Sequence, residues 1–124
     1  MTLQGILQHK FRPNILIIGS ERAAESILDG ICPLLDGPIE RCELPGPLRL
    51  PETGALILRN VGALLSEQQS ELLQWLDRAP GVPVLSVNAS PLFAQVQNGM
   101  FSQQLYYRLN TVLEQAAPSV TAIN

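Results

Sequence analysis

A glycine closing an apolar run, followed at a fixed distance by a hydroxyl residue, is an arrangement that can cradle phosphate. Residues 15–26 read ILIIGSERAAES. Against the phosphate-loop pattern G-x-x-x-x-G-K-[ST], Gly19 supplies the first glycine, Ser20 opens the loop and Ser26 supplies the final hydroxyl. Two positions depart. Ala24 takes the second glycine's place and adds a methyl where backbone N–H groups must close on the phosphate. Glu25 takes the lysine's place and sets an anion where the terminal phosphates need a cation. Two unit charges about 4 Å apart interact by roughly 4 kcal/mol at an effective dielectric near 20, so this exchange costs several kcal/mol of nucleotide affinity. Arg22 sits on the wrong side of the pattern to compensate.

The second candidate site is the end of ALILRN, residues 55–60. A nucleotide hydrolase keeps acids at such a strand end, one to organise magnesium and one to position water. Arg59 repels a metal and Asn60 is not a base, so no catalytic residue and no metal site are expected there. Cys32 and Cys42 lack C-x-x-C spacing and a nearby histidine, and read as two reduced thiols rather than zinc ligands. The single histidine, His9, lies in a polar N-terminal stretch and makes no triad. Eleven acidic residues against eight Lys and Arg give a net charge of −3, which argues against direct contact with DNA or RNA. The N-terminus lacks the apolar core of a signal peptide, and no run reaches the roughly 20 residues of a membrane span. The balance is that of a soluble cytoplasmic protein with no membrane contact.

The elements that must position these residues are legible in the apolar pattern. Residues 14–18, 55–58 and 82–87 are predominantly aliphatic runs, the mark of strands buried on both faces. Weaker strands are expected at 39–44 and 111–113. A helix capped by Ser20 runs from Glu21, with Ala23, Ala24, Ile27, Leu28, Ile31 and Leu35 on one face, until Pro33 disrupts its last turn. Ser66-Glu67-Gln68-Gln69 reads as a capping box, with Gln69 reaching back to the cap. The helix that follows carries Leu72, Leu73, Leu76 and Ala79, and Pro80-Gly81 stops it. A last helix is expected from about Pro91 or Ser102 to Leu109, either continuous or as two pieces broken near Asn98-Gly99. Strands alternating with helices predict an α/β fold, a three-layer αβα sandwich on a parallel sheet. One domain over residues 14–115 is expected, with a lead-in at 1–13 and a loose tail at 116–124. Such sheets bind ligands at the carboxyl ends of their strands, here after Ile18, Leu58 and Val87.

The second half adds a resemblance. GALILRNVGALLSEQQSELLQWLD, VPVLSVNASPLFAQVQNGMFSQQLYYRLNTVLE and above all GMFSQQLYYRLN resemble the AAA+ domain of the sigma-54-dependent transcription activators, the bacterial enhancer-binding proteins. The likeness covers about residues 54–113, with a weaker match at 14–31. It implies a P-loop NTPase or AAA+-like core, truncated and degenerate, without the helical lid subdomain. It implies a sensor-like role for Asn88, one step from the family's position at Ala89, and an arginine-finger-like role for Arg108. Ser102 stands where the family has its first finger arginine. The interval between Gly19 and Ala55 is too short to hold the sigma-contacting loop and its GAFTGA motif.

These departures together predict a non-catalytic pseudo-ATPase module that regulates transcription through protein contacts. The expected partner is a sigma-54 activator or a second copy, and no cofactor is expected. Two alternatives stay open. One is a sensor that keeps weak ATP binding at Gly19, Ser20 and Ser26 without hydrolysis. The other is a pseudo-receiver domain, whose acid posts would be empty at Gly19-Ser20 and Arg59-Asn60; strand order decides it.

Overall fold

The aliphatic runs form the middle of a parallel sheet. A computed structural model describes residues 14–78 and 81–115. The expected lead-in at 1–13 with His9, the helix end at Ala79 and Pro80, and the expected tail at 116–124 lie outside the described residues. Five strands, β1 (Ile15–Ile18), β2 (Ile39–Glu43), β3 (Ala55–Arg59), β4 (Val84–Asn88) and β5 (Val112–Gln115), pair in the order β2-β3-β4-β1-β5. Every pairing is parallel. All four residues of β1 and all five of β4 are buried, as covering on both faces requires. In β2, at the edge, only Cys42 is buried, which is why its sequence IERCE gave so faint a strand signal.

Among the described residues four helices cover the sheet: α1 (Glu21–Ile31), α2 (Ser66–Arg78), α3 (Phe93–Gln97) and α4 (Gln103–Leu109). Side chains alternate along each strand, so one sheet face presents Leu16, Leu56, Leu58 and Val84 to Leu72, Trp75, Leu76, Leu105 and Leu109. The other presents Ile15, Ile17, Ile57, Leu85 and Val87 to Ala24, Leu28 and Ile31 of α1. This is the expected αβα sandwich. Trp75 joins the core, buried with its indole N–H donating to the Pro51 carbonyl at 2.9 Å.

The strand order removes the pseudo-receiver alternative. A receiver sheet sets its first strand beside its second, in the order 2-1-3-4-5. Here β3 and β4 lie between β2 and β1.

The helix boundaries follow the expected breaks with one slip. Cys32–Leu34, containing Pro33, tightens into a 3-10 turn at the end of α1. Asn98-Gly99 separates α3 from α4, with Gly99 at φ +77°. The cap of α2 lies one residue earlier than the capping-box reading. Leu65 accepts the first helical bond from Gln69 N–H, and it is Gln68 whose side chain reaches back, accepting from Leu65 N–H at 3.0 Å. Gln69 is thereby freed for a different role. Its buried amide donates to the carbonyls of Leu64 and Met100 and accepts from Ser102 N–H at 2.8 Å, tying α2 to the segment that enters α4. No described helix is long and apolar enough to cross a membrane.

Candidate functional site

The turn after β1 is much shorter than a phosphate loop. The helix begins at Glu21, so only Gly19 and Ser20 separate it from the strand. Ser20 is the cap, in extended geometry, with its hydroxyl accepting from Ala23 N–H at 3.2 Å. Ala24, Glu25 and Ser26 therefore lie in the second turn of α1 and line no loop. Ala24 is fully buried against the sheet, and Ser26 is exposed. The loop shape expected from the G-x-x-x-x-G spacing is not formed, because the serine cap and the good helix formers behind it start the helix at once.

The carboxyl ends of the strands nonetheless converge. Gly19, Glu21, Glu43, Arg59, Asn60 and Asn88 line a shallow cavity of about 280 Å³. Arg59 is its centre. Parallel register places Glu43 directly across from Arg59 on β2, and the short turn brings the first two turns of α1 over it. Its Nη1 lies 2.6 Å from Glu25 Oε1, its Nε 3.3 Å from Glu43 Oε2 and its Nη2 3.6 Å from Glu21 Oε1. The Arg59 side chain is 13% exposed, whereas those of Glu21 and Glu43 are 88% and 74% exposed. One guanidinium thus sits under three carboxylates, and two of the carboxylates rim the opening. Glu21 and Glu43 were missed by sequence reasoning, because their convergence depends on register and on where the helix begins.

The other polar groups here are engaged structurally. Asn60 is left-handed, φ 60° and ψ 50°, a conformation that asparagine tolerates better than most residues. Its amide donates to the Leu44 carbonyl at 2.9 Å, joining the ends of β3 and β2. Asn88 is buried, accepts from Gly62 N–H at 2.9 Å and donates to the Ser90 carbonyl at 2.7 Å. Its own backbone carbonyl accepts from Gly19 N–H at 3.0 Å. Gly62 leaves room for this clamp, since a Cβ there would lie 2.7 Å from the end of the Gln95 side chain and 3.0 Å from Asn88 Oδ1.

Arg108 stands apart from the cavity. It pairs with Asp77 at 2.5 Å, linking α4 to α2 on the surface. Ser102 caps α4, its hydroxyl accepting from Leu105 N–H at 3.2 Å. Among the described residues no group of three or more His, Cys, Asp or Glu is arranged to hold a metal ion.

Comparison with known proteins adds the following. The family described as Sigma-54 interaction domain matches residues 38–116. NtrX from Brucella abortus in complex with ATP superposes with a TM-score of 0.73 at 18% identity, over 94% of this chain and 34% of that one. The P-loop NTPase domain of the Sigma-54 transport activator from E. coli gives a TM-score of 0.64 at 19% identity, over 85% of this chain and 95% of that one. The chain thus spans about a third of the NtrX chain. The likeness to the E. coli domain gives the fold as that of a P-loop NTPase domain. No curated protein matches.

Proposed function

The chain belongs to the Sigma-54 interaction domain family, and from that premise we propose that it is a non-catalytic, activator-like module that regulates transcription through protein contacts. The observation carrying this reading is the contact between Arg59 and Glu25. Phosphoryl transfer needs a cation on the phosphates and an acid for magnesium, both at the strand ends. Here the acid lies on the helix and the cation on the strand, and each satisfies the other. The remaining carboxylates at the mouth, Glu21 and Glu43, oppose a polyanion approaching it.

The partner is a sigma-54 activator subunit or a second copy, with no direct nucleic-acid contact. The acidic net charge supports the latter point. The nucleotide-sensor alternative would use Gly19, Ser20 and Ser26. Its hydroxyls are poorly disposed: Ser20 already accepts from Ala23 N–H, and Ser26 points outward from the second turn of α1.

The test is affinity capture by the full chain from its native host, read for sigma-54 activators, alongside light scattering of the purified protein. Recovery of an activator, or a stable oligomer, supports the module. A monomer that recovers no activator overturns it.

A further inference from the structure

Among the described residues the sheet ends on one side at β2, a short, charged strand whose outer backbone edge pairs with no other strand. Leu44 N–H donates to the Arg59 carbonyl and Ala55 N–H to the Pro38 carbonyl, both at 3.0 Å. In a parallel strand the backbone groups alternate in direction, so Pro38, Glu40, Cys42 and Leu44 face β3 while Ile39, Arg41 and Glu43 face away. Such an edge is a template for pairing with another chain.

The segment that follows folds back along this edge. Residues 44–51 carry Pro45, Pro47 and Pro51, which have no N–H to give and cannot extend the ladder. The strap is held from below: Asn60 donates to Leu44, Gln68 to Gly46 and Trp75 to Pro51, each at 2.9 Å and each to a carbonyl. Leu48 and Leu50 pack on the core. Gly46 runs so close to the Glu43 carbonyl that no side chain fits there.

Arg49 closes the strap on the strand. Its backbone N–H donates to the buried Cys42 sulfur at 3.3 Å, and that thiol donates to the Arg49 carbonyl at 3.5 Å. Its guanidinium donates to the outward Arg41 carbonyl at 2.6 Å and to Glu40 Oε2 at 2.7 Å. The Glu40 carboxylate holds the guanidinium's pKa above its usual value.

We infer that residues 44–51 are an edge guard, with Arg49 as the closing residue that keeps β2 from pairing with the β2 edge of a second copy. With the Arg41 carbonyl satisfied by Arg49, the middle acceptor of the outward row Ile39, Arg41 and Glu43 is taken, and the proline-lined strap beside it offers an incoming strand few N–H groups. This role does not rest on the functional reading above, which is carried by the Arg59–Glu25 contact, whereas the guard concerns the outer backbone edge of β2.

The test compares the mass of the full chain with that of variants by light scattering across protein concentration, with circular dichroism to confirm folding. Arg49→Ala is expected to rise with concentration to about twice the wild-type mass, as one edge-to-edge pairing gives. Arg49→Lys keeps a charge beside Glu40 but loses the fork, and should show the same rise at higher concentration. Glu40→Ala leaves the bond to the Arg41 carbonyl intact and should match wild type. Adding Arg41→Pro to Arg49→Ala removes an outward N–H without touching the inward ladder, and should restore the wild-type mass. A folded Arg49→Ala at wild-type mass overturns the guard, as does association that survives Arg41→Pro. Should Arg49→Ala fail to fold, Arg49→Lys decides by the same two outcomes.

Discussion

Arg59 and Glu25 lie 34 residues apart in sequence and 2.6 Å apart in space. Their meeting turns two isolated oddities into one contact. Removing the cation leaves Glu21, Glu25 and Glu43 converging on nothing, so Arg59→Met is expected to cost about 2 kcal/mol of unfolding free energy. Glu25→Gln, at a half-exposed position, should cost about 0.5 kcal/mol. Urea denaturation of both variants checks the ranking, and equal effects would contradict a shared hub at Arg59. A second residue stands out for lacking a partner: the Ser86 hydroxyl, fully buried in β4, makes no hydrogen bond among the described residues. Ser86→Ala should therefore stabilise the fold by about 1 kcal/mol, measured the same way. That Arg59, Asn60 and Asn88 stand at the carboxyl ends of strands was legible in the sequence, because strand ends can be read from aliphatic runs. Their partners were not. Glu43 meets Arg59 only through register, and Glu21 only because the turn before α1 is two residues long.

At the scale of elements, the decisive feature is where α1 begins. The Ser20 cap and the helix from Glu21 expected from the sequence both form, and they draw residues 24–26 into α1, so the phosphate-loop spacing from Gly19 to Ser26 never becomes a loop. Ser20→Ala is expected to cost about 1 kcal/mol through loss of this cap. A loss well under that in thermal or urea unfolding would mean the helix start is fixed by packing instead. The α2 cap carries a related lesson. A shift of one residue moved Gln69 from its expected place at the helix end to a buried clamp on Met100 and Ser102. Gln69→Leu strands those backbone groups and should cost about 2 kcal/mol. Amide exchange should quicken first in α4, the helix that Gln69 tethers. The break at Gly99 and the strands of the sheet's middle were plain from glycine, proline and aliphatic spacing, whereas β2 was faint because only one of its residues is buried.

For the whole molecule, the strand order, the family match over residues 38–116 and the superposition on P-loop NTPase domains agree on one ancestry of shape. Shape alone does not supply chemistry. The crevice at the strand ends is where a ligand would be sought in such a sheet, and it presents three carboxylates around a guanidinium that they already satisfy. The central claim is that this crevice takes no nucleotide tightly. Calorimetric titration of the full chain with ATP, with and without magnesium, tests it most directly. No measurable heat of binding is expected, or a dissociation constant in the millimolar range or weaker, unchanged by magnesium. Micromolar binding that tightens with magnesium would contradict it.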